Sequence, residues 1–367
     1  MTFKFFKKAK KNHIGLDINS EGITALAVTV KNKKLMVKNY AYEPFQDQVI
    51  QNGLIVDIEA FIETVNKIFE KQKIITKLVN IALPGNITLI KTINLPNLPI
   101  EELAVIVPQE AIKHIPFPIE EVNIDFEILE NPNKQQNTNK RIDVVLVAIP
   151  KTIIQNYMDA FKKMGLTVAS VDVAPFTMIR TLANAGLIYE SENIDISVLV
   201  GDENTDINII YKGNPIFTNN FPVGKKNIID SLAHSLEIDN MAAEKLLPEI
   251  ALMVPGTNID EIDPQKNKAA AAVRSIYNNI CNEILKTIEF YNSQNIEAVQ
   301  IASIFVAGTG ICTQNIDKYI ANRLKINTVL CESLKNIDNT IDYGDNPIYP
   351  INIPALATSV GLALKGL

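Results

Sequence analysis

Two stretches of this chain, far apart in the sequence, carry the same local instruction. "IGLDINSEGITALAV" (Ile14–Val28) and "ISVLVGDENTDINII" (Ile196–Ile210) each read as a strand, a tight polar turn and a second strand. Laid side by side, Asp17 stands opposite Leu199, and Asn19 opposite Gly201. A chain that opens two of its regions with one hairpin is expected to fold as two similar lobes with a cleft between them. The two turns then face each other from opposite sides. Their backbone N–H groups make anion-binding concavities suited to a polyphosphate, and Asp17, leaving the first strand, is placed to hold Mg2+ through water. A third segment, "IFVAGTGICTQNI" (Ile304–Ile316), runs a buried strand into Gly308-Thr309-Gly310 and a helix. Small residues there let backbone approach a base and a ribose closely.

The chain is long enough for this, since 367 residues exceed one ordinary domain. With 47% hydrophobic and 21% charged residues it builds sizeable cores and is not disordered. A net charge of −6 argues against nucleic acid as the partner. The exception to the acidic balance is the start, "MTFKFFKKAKKN". Its apolar core is shorter than the ~7–15 residues of a signal peptide. Two readings stay open for it: a weak anchor to an anionic membrane face, or a solvated tail. No apolar run approaches the ~20 residues of a membrane span. Cys281, Cys312 and Cys331 form no CxxC pair and read as reduced thiols of the cytoplasm. His13, His114 and His234 show no metal spacing.

Between the hairpins lies "EAIKHIPFPIEEVNIDFEIL" (Glu110–Leu129). Helical sequence from Pro99 continues through Ile115, although Pro108 inside it costs ~3 kcal/mol and predicts a kink or a late start. Pro116 and Pro118 then stop the helix. Val122, Ile124, Phe126 and Ile128 alternate with Asn123, Asp125, Glu127 and Leu129, the pattern of a half-buried strand. The corner is a rigid bend joining a helix to a sheet.

Taken together, these segments resemble the actin-like ATPase superfamily, and within it the PilM family of type IV pilus assembly proteins. The resemblance runs from Ile14 to Leu367. It is carried by "IGLDINS", the "IPFP" corner with its following strand, and "VVLVAIPKTIIQNYMDAFKKMGLTVASVDVAPF". "GNPIFTNNFPVGKK", "AGTGICTQNIDKYIANRL" and "PALATSVGLALKGL" add to it. It implies an α/β, actin-like fold of two duplicated RNase H-like lobes, with a small α+β subdomain inserted in the first lobe, as in PilM and the cell-division protein FtsA. The implied division is a basic aromatic tail over 1–13 and a first lobe over 14–97 and 172–194. The inserted subdomain is 98–171, the second lobe 195–225 and 300–367, and a helical nucleotide-side subdomain 226–299.

By the same resemblance Asp17, Asn19, Ser20 and Glu21 fall in the first phosphate loop, and Gly201, Asp202, Glu203 and Asn204 in the second. Gly308, Thr309 and Gly310 fall in the adenosine loop, and Glu244 and Lys245 on a helix flanking the nucleoside. The implied cofactors are ATP or ADP with Mg2+. Relatives carry glycine at the position of Asn19, where asparagine tolerates a left-handed turn, and aspartate at that of Leu199. Leucine neither binds Mg2+ nor orients water, so nucleotide binding is expected with slow hydrolysis at most, and no catalytic residue is assigned. The implied function is a cytoplasmic scaffold at the inner face of the bacterial inner membrane. It captures the N-terminal tail of a PilN-type membrane protein, with Ile115, Phe117 and Phe126 lining the groove. Pilus motor proteins, a homodimer and lipid contact through the tail are further expectations. An actin-like small-molecule kinase and an FtsA-like filament protein are the alternatives.

Overall fold

The computed structural model describes residues 13–129, 141–188, 193–253, 264–294, 299–338, 353–365 and 367. The basic tail before His13 and the polar loop 130–140 lie outside the described residues. From the start, β1 (Ile14–Ile18), β2 (Gly22–Lys31) and β3 (Lys34–Pro44) form an antiparallel meander. A small hairpin, β4 (Ile50–Gln51) and β5 (Leu54–Ile55), leads to α1 (Ile58–Lys71). Asp57 caps this helix by accepting from the Glu59 and Ala60 amides, and Phe61, Val65 and Ile68 bury its inner face. β6 (Leu78–Leu83) then pairs in parallel with β1.

The inserted unit comprises β7 (Leu89–Pro96), α2 (Ile100–Ala111), β8 (Val122–Leu129) and β9 (Arg141–Pro150). After it come α3 (Lys151–Lys163), β10 (Thr167–Val173) and α4 (Ala174–Asn184). A second meander follows: β11 (Ile194–Val200), β12 (Thr205–Tyr211) and β13 (Asn214–Phe221). Next are α5 (Lys225–Leu236), α6 (Asn240–Leu246) and α7 (Pro264–Ser293). β14 (Ile301–Ala307), α8 (Ile316–Leu324), β15 (Asn327–Leu330), β16 (Ile337–Asp338) and α9 (Ala357–Leu364) complete the order.

The two large sheets run β10-β6-β1-β2-β3-β16 and β13-β12-β11-β14-β15. In each, the first strand of a meander also pairs in parallel with a later strand, which pairs in parallel with a third. The lobes therefore share one five-strand topology, and the hairpin repeat is its visible trace.

Three boundaries differ from those expected. β7 pairs with β9 along its length, so the inserted unit begins at Leu89 and not at 98. The turn Pro84-Gly85-Asn86 fixes a reversal but not which sheet takes the next strand. α3 and β10 belong to the first lobe. Phe161 and Tyr157 pack edge-on against Phe61 of α1, and β10 pairs with β6. Beyond β15 the chain crosses back: β16 pairs with β3, and α9 packs on β1, β2 and α4.

That return is tightly made. Every residue of α9 is buried, and a Cβ on Gly361 would lie 2.1 Å from the Thr177 carbonyl oxygen, so α4 and α9 touch only because it is glycine. His13 and Asn80 reach the Leu362 carbonyl. Lys365 lies 2.8 Å from Asp172, which Arg180 also contacts at 2.9 Å. Burial alone would raise the Asp172 carboxyl, but the two cations outweigh it and hold it below the usual range.

The small sheet, ordered β7-β9-β8, is buried on both faces of its central strand. Val144, Leu146 and Ala148 join Leu103, Val107 and Ala111 of α2, while Val145, Val147 and Ile149 join the first lobe's core. That accounts for the unbroken apolar run of β9. Helix α2 runs from Ile100 through Pro108 without a late start. The carbonyl that proline leaves unpaired belongs to Ala104, which is exposed and open to water. It ends at Ala111, short of Ile115. The alternation expected for β8 breaks at its end. Leu129 is buried in the first lobe's core, while Ile128 is 44% exposed.

Because Asp172 and Lys365 are both almost fully buried, Asp172→Ala strands a cation inside the protein. Urea denaturation should show a loss of about 3–5 kcal/mol, whereas removing the exposed Glu63–Lys67 pair should leave stability unchanged.

Candidate functional site

Both hairpin turns and the loop after β14 meet between the lobes. The first turn is built by Asn19, whose side-chain carbonyl accepts from the Glu21 and Gly22 amides at 3.0 and 2.9 Å. Its own amide donates to the Gly22 carbonyl. Asn19 has no positive φ, so the turn is held by its side chain and not by the left-handed backbone that was expected. In the second turn the Gly201 amide donates to the Asn204 carbonyl, and the first amides of α5, from Lys225 and Lys226, donate to the Gly201 and Asp202 carbonyls. In the third, Gly308 has φ +107° and its Cβ would meet the Val200 carbonyl at 2.1 Å.

Within the second lobe Thr309 donates to Asp202 at 2.6 Å, and across the seam Ser20 donates to its other oxygen at 3.4 Å. Lys225 bridges Glu21 of the first lobe, at 2.8 Å, and Glu244 of α6. Asp17, Asn19, Ser20, Gly201, Asp202 and Glu203 line the cleft, with Asn204, Gly308 and Thr309. Gly310 does not line the cleft: its amide donates to the Val200 carbonyl and its carbonyl accepts from the Tyr277 hydroxyl behind it. Lys245 is exposed and contacts none of these groups.

Lys225 and Asp206 were not foreseen. Asp206 lies in the wholly buried strand β12, directly opposite Leu199. It therefore brings a carboxylate to the face where Leu199 has none. It accepts from Asn220 and Asn204, and from the Gly85 amide of the first lobe. A charged residue inside a strand of this composition is the signal that would have found it. Lys225 stood in the quoted "GNPIFTNNFPVGKK" but nothing local aims it at Glu21.

The carboxylates carry more charge than their surroundings balance. Burial, then the charge of Asp202, pushes Asp17 up to about 7. Glu21 reaches about 7 through burial and Asp202, with Lys225 opposing. Asp206 reaches about 7 through burial, opposed by its three hydrogen-bond donors. Asp202 is raised by burial against the pull of Thr309, Lys225 and Ser20. Burial would lower Lys225, but Glu21 and Glu244 prevail and hold its ammonium above the ordinary range. The Asp17 carboxyl makes no hydrogen bond or ion pair with any described residue. The cleft encloses about 90 Å³, less than the ~300–1,000 Å³ typical of ligand pockets. The lobes are closed upon it.

At the expected partner groove the residues separate. Ile115 is 7% exposed and belongs to the core of the inserted unit, so it is not available to a partner. Helix α2 and the proline corner turn it inward. Phe117 is 54% exposed, and Phe126 is half-buried against that same core.

A family model described as type IV pilus assembly protein PilM matches residues 15–367. The chain belongs to this family. Its backbone matches a solved "PilM-PilN type IV pilus biogenesis complex" with a TM-score of 0.80 and 20% identity, covering 97% of this chain and 98% of that one. More distant likenesses show the fold alone. Spiroplasma citri MreB5 bound to AMPPNP matches with a TM-score of 0.52 and 14% identity over 95% and 94% of the two chains. Ethanolamine utilization protein EutJ of Carboxydothermus hydrogenoformans matches with 0.52 and 16% over 96% and 89%. Cell division protein FtsA of Streptococcus pneumoniae serotype 2 (strain D39 / NCTC 7466) is 24% identical over 192 residues, 47% of this chain and 42% of that protein. The chain thus spans less than half the length of that relative. The expected actin-like, two-lobed fold is the one found.

The raised carboxylates give the closed form a pH signature. A carboxyl at about 7 when folded and near 4 when unfolded favours the folded state at low pH, and that stability is lost as pH rises from about 4 through 7. Asp17→Asn removes one such charge without breaking a protein contact. It should raise Tm at pH 8, with the gain shrinking as pH falls below about 7 and vanishing only below about pH 4, when both proteins are followed by scanning calorimetry.

Proposed function

We propose that this protein is an actin-like scaffold of type IV pilus assembly that binds adenine nucleotide with Mg2+ between its lobes. On this reading it holds the N-terminal tail of a PilN-type membrane protein at its inserted unit. The observation that carries it is the family match over nearly the whole chain, joined by the likeness to a PilM–PilN complex. Nucleotide binding draws support from the shared topology of the lobes and from Asp17. That carboxyl faces the cleft, lacks a protein partner and is raised to about 7, the character of an oxygen ligand awaiting a cation. Among the described residues no group of three or more His, Cys, Asp or Glu is arranged to hold a metal. Asp17 would therefore hold Mg2+ through water. When bound, the ion offsets the negative charge that phosphates and the buried carboxylates bring together.

Entry of nucleotide requires the lobes to part. The amides of Asn19, Glu21, Gly22 and Gly201, expected to face phosphate, have acceptors within their own turns and keep them when the lobes part, and those of Gly308 and Gly310 donate to the Pro354 and Val200 carbonyls. Parting breaks the Ser20–Asp202 and Glu21–Lys225 contacts, and phosphate oxygens then compete for Lys225. Because Leu199 supplies no carboxylate beside Asp206, turnover is slow at most. The nucleotide instead biases the balance between open and closed lobes, and with it the presentation of the inserted unit.

Among the described residues no helix is long and apolar enough to cross a membrane. A place at the inner face of the inner membrane follows from the membrane-spanning partner, which would capture the scaffold through its tail. Phe117 is the exposed anchor for that tail, and Phe126 its support. A synthetic PilN-type tail peptide titrated into the protein should bind at micromolar affinity or better, and Phe117→Ala should weaken it about tenfold, as ~1.4 kcal/mol corresponds to a factor of ten. Absence of saturable binding at millimolar peptide would remove the scaffold reading.

A further inference from the structure

A second, roomier cleft adjoins the nucleotide site, and Asp206 lines both. It encloses about 890 Å³ between the inserted unit and the second lobe, near the top of the ~300–1,000 Å³ range of ligand pockets. Its two long walls are β7 and β13, each the edge strand of its own sheet. An edge strand presents a row of main-chain donors and acceptors that a further strand can pair with. The walls touch where the Thr92 hydroxyl donates to the Ile216 carbonyl at 2.9 Å.

The floor is aromatic. Phe217 of β13 packs on Phe290 and Tyr291 of α7 with ring centroids 5.6 and 5.9 Å apart, and Phe290 remains 51% exposed. Asn219 donates to Thr287 at 2.9 Å, fastening β13 to α7, so this wall is built before any ligand arrives. Two aspartates and two lysines line the cleft: Asp143 accepts from Asn94 at 2.7 Å and Asp206 from Asn220 at 2.6 Å. Lys286 pairs with Glu283 at 2.6 Å, whereas Lys91 is exposed and makes no ion pair or hydrogen bond with any described residue. Strand edges select an extended main chain, the exposed ring an apolar side chain, and the uncompensated ammonium an acidic one.

We propose that this cleft binds a short extended peptide of another protein, paired to a strand edge, with an apolar side chain on Phe290 and an acidic one on Lys91. The site is separate from the proline corner. It requires neither nucleotide nor a PilN-type tail, so it stands or falls independently of the function proposed above.

The test is selection of a phage-displayed random heptapeptide library on the full chain without nucleotide. Affinities of the enriched peptides are then measured by fluorescence anisotropy. The expected peptides combine an apolar with an acidic residue and slow amide exchange in residues 89–96 or 214–221. Phe290→Ala and Lys91→Glu, both at exposed side chains, should each weaken them at least tenfold. Replacing the peptide's acidic residue by lysine should restore binding to Lys91→Glu, and Phe117→Ala should leave affinity unchanged. No enrichment, full affinity in either cleft variant, or loss of affinity in Phe117→Ala would overturn the proposal.

Discussion

Lys225 holds the two lobes together against a surplus of negative charge. It stands between Glu21 and Glu244 while Asp17, Asp202 and Asp206 lie buried nearby, their carboxyls raised by the same burial. Ser20 on Asp202 and the Gly85 amide on Asp206 also cross the seam, and Leu199, Ile210 and Phe305 of the second lobe pack into the first lobe's core. A seam of this kind is poised. Protonation relaxes it in place, and a cation or a competing anion for Lys225 gives it a reason to open. The duplicated topology supplies the geometry, since it brings one turn of each meander to the same place from opposite sides. Belonging to the PilM family gives that arrangement a biological setting.

The turns were legible because their signals are local. A polar turn between two apolar strands is fixed by its own residues, which located the turns, and the family resemblance then implied that Asp17, Ser20, Asp202 and Thr309 share one cleft. Asp206 and Lys225 could not be found that way. Their roles arise from register, which sets Asp206 opposite Leu199, and from the approach of two lobes, which aims Lys225 at Glu21. Asn19 shows how a correct turn can rest on a different cause. Its side chain accepts the amides that a glycine-bearing turn leaves free, and its backbone has no positive φ.

Element types were easier to read than membership. Helix α3 packs into the first lobe because Tyr157 and Phe161 meet Phe61, a partner remote in sequence. β7 looks like any other apolar strand, and only β9, with two apolar faces to satisfy, decides that it joins the small sheet. Alternation misled at Ile128 and Leu129 for a related reason. The strand's far end meets the first lobe, so the buried side changes where the neighbour changes. The family resemblance implied a groove lined by Ile115, Phe117 and Phe126, but the corner turns Ile115 into the core and leaves Phe117 outside.

Isothermal titration of ATP into the full chain at pH 7.5, with and without Mg2+, tests the central claim most directly. Two related lobes that clamp a triphosphate around Asp17 predict saturable heat for one site in the presence of Mg2+, and its loss in Asp17→Asn. Folded protein that gives no heat up to millimolar nucleotide, or an Asp17→Asn variant that binds as the parent does, would contradict it.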